Sequence, residues 1–243
     1  MATKHSEGPP NHEHDPRWTA VDEYMEAHLH APSRNKYHEA LEFTRSNSSA
    51  KGLKDIAVFA GQGKMLALQI KLTGAKNVLE VGTLGGYSAI WMATASDDVK
   101  ITTVEVNAET KAVAEENIAH AGLSDRISVL LGPGVEVLPK LVEEVKSGTR
   151  QPFDFAFIDA DKQNNLNYFN YTMQMIKPNS LIYVDNVVRR GQVVDPVAIR
   201  EDPNIQGTRR LIEAVGKDDR VDAVVIQTVG GKNYDGFLQA LVK

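Results

Sequence analysis

From residue 76 onward, short apolar runs rich in β-branched and aromatic residues alternate with longer segments of helical spacing. The runs fall at residues 77–81, 100–106, 126–131, 153–158 and 180–184, and the helical segments at 86–95, 109–121, 135–146 and 162–176. Few folds accept such a pattern. Strands separated by helices run parallel, and a parallel sheet is stable only when helices cover both of its faces. After a further helix at 203–215, runs at 220–229 and 237–242 are joined by the turn-rich segment Gly230-Gly231-Lys232-Asn233-Tyr234-Asp235-Gly236. That connection suits a hairpin, so the expected fold is α/β: a Rossmann-like, seven-stranded, mostly parallel sheet whose last strand is antiparallel.

Before the alternation begins, residues 18–30 and 33–46 carry helical patterns separated by Pro32, with Ser33 as a candidate N-cap. Residues 52–63 read as a loop and 64–72 as a helix. Residues 1–16 are polar and include three histidines; a metal-binding tract and a mobile tail are both compatible, and the tail is the expectation. The chain is expected to form one domain over 17–243, with 17–50 as a helical appendage. A hydrophobic fraction of 42% supports a full core. The net charge of −5 offers no basic field for nucleic acid, and no apolar stretch reaches membrane-spanning length. The absence of cysteine excludes disulfides, thiolate nucleophiles and zinc–thiolate sites, and fits a cytoplasmic protein.

Two runs end in oxygen-bearing side chains. Asp159-Ala160-Asp161-Lys162 follows the fourth strand, and Asp185-Asn186 follows the fifth. The carboxyl edge of a parallel sheet is where such folds bind ligands. Asp159, Asp185 and Asn186 could converge there as hard donors for Mg²⁺, Mn²⁺ or Ca²⁺. Asp and Asn are equally at home in turns and helix N-caps, so spacing alone leaves both readings open.

The first strand runs into Gly82-Thr83-Leu84-Gly85-Gly86-Tyr87-Ser88, a glycine-rich turn before a helix, with Glu80 just upstream and Glu105 ending the second strand. An acidic residue at that second position suits ribose hydroxyls. A pyrophosphate cofactor would meet repulsion from Glu80, whereas S-adenosylmethionine carries a sulfonium and an ammonium that acidic lining attracts. No tyrosine has a lysine four residues on, which weakens the nicotinamide oxidoreductase alternative. Trp91 and Met92 suit either adenine stacking or the core, with packing the expectation.

With these motifs in place, the chain resembles the small cation-dependent class I O-methyltransferases of the caffeoyl-CoA and catechol group. The likeness runs from about Trp18 to the C-terminus through Gln62-Gly63-Lys64, Leu79-Glu80-Val81-Gly82, Gly86-Tyr87-Ser88, the Asp159–Lys162 run and Tyr183-Val184-Asp185-Asn186. It implies a metal held by Asp159, Asp185 and Asn186. It implies donor contacts from Val58, Glu80, Gly82, Thr83, Ser88, Glu105, Asp161 and the Gly132-Pro133-Gly134 turn, Gly134 included. It implies a homodimer, and Lys162 as general base, its ammonium disfavoured by a helix N-terminus and the neighbouring cation.

The acceptor would be a catechol-like small molecule, chelated by the metal and methylated on one hydroxyl. A non-catalytic S-adenosylmethionine-binding module is the rival. Where plant members carry a tryptophan-containing loop, this chain has Val187-Val188-Arg189-Arg190-Gly191, and its Gly230–Asp235 turn also departs from theirs. Arg190, with Arg189, is therefore a candidate contact for an acceptor carboxylate or phosphate.

Overall fold

In the computed structural model, which describes residues 15–243, the strands form one seven-stranded sheet in the order β3-β2-β1-β4-β5-β7-β6. They are β1 (Asn77–Val81), β2 (Lys100–Glu105), β3 (Ile127–Leu131), β4 (Phe153–Ile158), β5 (Ile176–Asp185), β6 (Val221–Val229) and β7 (Tyr234–Val242). The first five are parallel, and β7 inserts antiparallel between β5 and β6. Strand alternation sorts the core into two layers. Val78, Phe155, Phe157, Leu181 and Tyr183 face α3 (Ala60–Thr73) and α4 (Tyr87–Ala93). Leu79, Ala156, Ile158, Ile182 and Val184 face α6 (Gly134–Lys146), α7 (Asn165–Thr172) and α9 (Pro203–Val215). Trp91 and Met92 are buried in the first layer, as packing requires.

Three Asp-Pro pairs open helices. Asp15, Asp195 and Asp202 each accept backbone N–H groups ahead of Pro16 in α1 (Pro16–Leu29), Pro196 in α8 (Pro196–Glu201) and Pro203 in α9. Proline at the first helical position loses no needed donor, and the aspartate satisfies the exposed ones. The pattern reads differently from expectation at several places. Residues 33–46 do not form one helix; a 3₁₀ turn, Pro32–Arg34, precedes α2 (His38–Ala50), and no side chain caps either, Ser33 included. Residues 162–176 divide into a 3₁₀ turn, Lys162–Asn164, and the shorter α7. The strand β5 starts at Ile176 rather than 180: Pro178 and Asn179 look like a turn, but a register shift opposite Phe153–Phe155 takes them in, with Asn179 at φ 62°. The strand β7 starts at Tyr234 because Tyr234–Gly236 pair with Gln227–Val229.

The tail expected over 1–16 lies outside the described residues except for Asp15 and Pro16, which begin α1. The apolar stripe of α1 buries nothing fully, and Val21, Tyr24, Met25 and Leu29 are exposed. Among the described residues no helix is long and apolar enough to cross a membrane.

Candidate active site

The chain runs outward from β1 through β2 to β3, then returns to start β4 on the other side of β1. The carboxyl ends of β1 and β4 therefore flank the switch point, where open α/β sheets bind ligands. Gly82 leaves β1 there with φ 104°, and a Cβ at that position would lie 2.1 Å from the Asp159 carbonyl oxygen. Asp159 N donates to Val81 O at 2.8 Å, and Gly82 N to Val104 O at 3.0 Å. The glycine turn and the Asp159 backbone are thus in direct contact, and only glycine permits it. The turn continues through Leu84 at φ 48° to Gly86 at φ 80°, the N-cap of α4.

The acidic residues around this turn are each engaged by internal donors. Glu80 is fully buried, with Ser88 Oγ donating to one carboxylate oxygen at 2.6 Å and Thr103 Oγ1 to the other at 2.5 Å. Thr83 Oγ1 lies 2.6 Å from Thr103 Oγ1, so Glu80, Ser88 and Thr83 belong to one network beneath the turn. Burial pushes Glu80 up to about 7 despite both hydroxyls, with Asp159 and Glu105 adding to the rise. Glu105 accepts Leu84 N at 2.9 Å and Asn107 N at 3.0 Å, holding the turn against the start of α5 (Ala108–His120). Asp161 is exposed and accepts Asn164 Nδ2 at 2.6 Å and the Tyr168 hydroxyl. Burial first, and then the Asp161 carboxylate, push the Tyr168 phenol upward. Gly134 belongs to the same corner, since a Cβ there would lie 2.7 Å from the Tyr168 ring.

On the β5 side, Asp185 is the last residue of the strand and is buried; Asn186 follows at φ 56°, a left-handed conformation that asparagine tolerates. Burial first, and then the Asp159 carboxylate, raise Asp185 to about 7 against the opposing effects of Lys162 and a hydrogen bond from Gln62. Lys162 is itself buried and donates to Asp159 Oδ1 at 2.7 Å. It sits in the 3₁₀ turn rather than at an α-helix N-terminus, so the expected helix dipole is absent and Asp159 is its electrostatic partner.

Among the described residues no three His, Cys, Asp or Glu converge; Asp159 and Asp185 lie near enough to repel each other, and Asn186 follows Asp185 in sequence. Two mutually repelling carboxylates drawn to one place, one of them desolvated, fit a hard divalent cation. Lysine alone balances half of that charge.

Asp185 and Asn186 open onto a cavity of about 610 Å³. Val58, Phe59 and Gln62 line one side, Arg189 and Arg190 another, and the β6–β7 turn forms its roof. Asp22 of α1 accepts Gly231 N at 2.7 Å, and Lys232 Nζ donates to Asp55 Oδ1 at 3.0 Å and Ala57 O at 2.8 Å, so elements from both ends of the chain hold this roof. Asp235, buried beneath it, accepts backbone N–H groups from Val188, Arg189 and Gly236 at 3.2, 2.8 and 3.0 Å.

Gln62, Asp235 and Lys232 were not singled out from the sequence as site residues. Each carried a signal: Gln62 through the Gln62-Gly63-Lys64 motif, and Lys232 and Asp235 through the turn that departs from the plant pattern. Val58, Asp185, Asn186 and Arg190 line the cavity; Glu80, Thr83, Ser88, Glu105, Gly134 and Asp161 do not.

A family model described as O-methyltransferase matches residues 31–234. O-methyltransferase imqG of Aspergillus flavus is 50% identical over 229 residues, covering 94% of this chain and 92% of that protein. A catechol O-methyltransferase of Niastella koreensis is 41% identical, covering 85% and 92%. The solved O-methyltransferase of Bacillus cereus, in complex with SAH, superposes with a TM-score of 0.86 at 41% identity, covering 94% of this chain and 99% of its own. None of these likenesses points toward nicotinamide chemistry.

Proposed function

Because the chain belongs to the O-methyltransferase family, we propose that it transfers the methyl group of S-adenosylmethionine to one hydroxyl of a catechol-like small molecule in a site built around a divalent cation. The observation that carries this reading is the meeting of Asp159 and Asp185, one at the switch point beside the glycine turn and the other facing the cavity. Donor and acceptor sites then share a border made of these two carboxylates. The SAH-bound Bacillus cereus relative supports S-adenosylmethionine as the donor.

Asp159, Asp185 and Asn186 would hold Mg²⁺, Mn²⁺ or Ca²⁺, which supplies Lewis-acid polarisation of the acceptor hydroxyls when bound. The remaining work falls to the chain. Gln62 orients Asp185. The network of Glu80, Ser88, Thr83 and Glu105 fixes the turn of Gly82 on which the donor rests, and Asp161, Gly134 and Val58 complete its surroundings. The acceptor oxygen attacks the methyl carbon, the carbon–sulfur bond breaks, and the electron pair leaves with sulfur as a neutral thioether. Lys162, beside Asp159, is the proposed recipient of the hydroxyl proton. Arg190, exposed at the cavity's edge, is a proposed acceptor contact. Holding both reactants in one orientation removes much of the entropic barrier.

A single domain over 17–243, with 17–50 as its helical appendage, remains part of this proposal, as does a cytoplasmic location. A homodimer is supported by exposed apolar side chains on one sheet face, Val224, Ile226 and Leu241, and by the uncovered stripe of α1. The test is a panel of catechols incubated with isotope-labelled donor and read by mass spectrometry, with and without chelator. Methylation that survives complete metal removal sinks the cation's role; no methylation of any catechol sinks the acceptor class. Asp159→Ala and Asp185→Ala should lose turnover while binding of S-adenosylhomocysteine, measured by calorimetry, persists.

A further inference from the structure

One glycine interrupts the interior of α9, and the backbone does not ask for it: Gly207 is buried, and its φ lies outside the left-handed region. Glycine inside a helix costs stability relative to alanine, so an unforced one marks a close approach. Here the approach is to the turn that carries Lys162. A Cβ on Gly207 would lie 2.3 Å from the Lys162 carbonyl oxygen, 2.6 Å from Gln163 Cα and 2.9 Å from the Lys162 carbonyl carbon. The helix thus rests its bare backbone on the backbone of Lys162. Building on the proton transfer to Lys162 proposed above, we propose that Gly207 is a positioning residue: it lets α9 buttress the lysine turn, and so fixes where the ammonium stands beside Asp159.

The turn needs such support. Lys162–Asn164 is a single 3₁₀ turn, closed by the bond from Asn165 N to Lys162 O, with Asn164 N reaching Asp161 O at 3.2 Å. Bonds of this kind are poorly aligned, and one turn of them holds its shape weakly. The helix adds a tie of its own, Arg210 Nη2 donating to Gln163 O at 3.3 Å. From the same helix Arg209 Nη1 donates to Val193 O at 2.8 Å, in the segment Arg189–Val194 whose Gln192 lines the cavity. The helix therefore spans the lysine turn and the cavity wall without lining the cavity itself. Lys162 is buried, so its long side chain has little room to re-aim when its backbone moves. Gly207→Ala forces such a move, on the order of 1 Å, because non-bonded heavy atoms rest about 3.5 Å apart.

The experiment follows methylation of 3,4-dihydroxybenzaldehyde by the full chain, supplied with Mg²⁺ and saturating donor. It compares wild type, Gly207→Ala, Lys162→Met and the double variant, with S-adenosylhomocysteine affinity measured by calorimetry. In Gly207→Ala kcat should fall roughly 10- to 100-fold, while S-adenosylhomocysteine affinity and donor KM stay within about threefold of wild type. In the Lys162→Met background the same substitution should change kcat by less than about threefold, since the group it places is gone. A purely structural role gives a loss that multiplies in both backgrounds, or one that weakens donor binding in step with kcat, and either result overturns the inference. So does wild-type kcat in Gly207→Ala. If Gly207→Ala binds no S-adenosylhomocysteine, Arg210→Gln decides in its place, since it removes only the exposed bond to Gln163 O. A kcat lowered by about two- to threefold, with no further effect in the Lys162→Met background, then upholds the inference, and wild-type kcat overturns it. A Lys162→Met enzyme as fast as wild type sinks the proton-transfer reading itself, and the buttress falls with it.

Discussion

Replacing Gly82 with alanine tests the contact between the glycine turn and the Asp159 backbone. The new Cβ would stand 2.1 Å from the Asp159 carbonyl oxygen, whereas non-bonded heavy atoms rest about 3.5 Å apart. Turn and strand must separate by on the order of 1 Å, or the backbone must leave φ 104°. The left-handed conformation costs alanine about 1–3 kcal/mol, and overpacking adds a comparable amount. Gly82→Ala should therefore lose roughly 2–5 kcal/mol of stability in urea titrations. Because the displaced group is the Asp159 backbone, damage should appear at both sites together: a misplacement of about 1 Å costs on the order of 100-fold in turnover. Donor affinity should weaken, and more Mg²⁺ should be needed for half-maximal rate. A variant within about 0.5 kcal/mol of wild type, with unchanged metal demand, would refute the coupling.

Burial raises Glu80 to about 7 from 4.5, so the folded protein holds that proton more tightly than the unfolded chain. Its contribution is whole below the unfolded value and drains away as pH rises through 7, a loss of roughly 2–3 kcal/mol between about pH 5 and pH 8. Denaturant midpoints of Glu80→Gln should be flatter across that window; parallel slopes for the two proteins would remove the assignment. Asp235→Ala strips three backbone donors of one buried acceptor and should cost about 2–4 kcal/mol in thermal or urea unfolding, while raising acceptor KM more than donor KM; an equal rise in both counts against its place under the acceptor roof. Lys162→Met should lower kcat by about 100-fold or more with donor affinity retained, and a rate within threefold of wild type would dismiss it as the proton acceptor.

The parallel strands were legible because burial on both faces leaves near-continuous apolar runs, as in Phe153–Ile158. That Asp159 and Asp185 lie at neighbouring strand ends was legible for the same reason: one follows β4, the other ends β5, and those strands are adjacent. The partners of Glu80 were not legible, because they are set by strand register. Thr103 is its direct neighbour across β1 and β2, and Ser88 returns to it from α4. The sequence shows the carboxylate but not the two hydroxyls that hold it. The cavity roof was equally hidden, since Asp22 and Gly231, or Asp55 and Lys232, carry no mark of each other in sequence. The helix α8 could have been found: Asp195-Pro196 repeats the opening of α9 at Asp202-Pro203. The stripe of α1 showed that helical periodicity marks a face without saying what covers it.

The insertion of β7 between β5 and β6 has a bearing on how the protein is made. Until Tyr234–Val242 emerge from the ribosome, the edge of β5 that leads to Asp185 has no hydrogen-bonding neighbour. A chain that lacks β7 thus exposes an unfinished sheet edge beside Asp185. The strand β7 must be in place before the Asp235 side of the cavity exists, and a chain cut ahead of Tyr234 should aggregate rather than persist as a weaker enzyme.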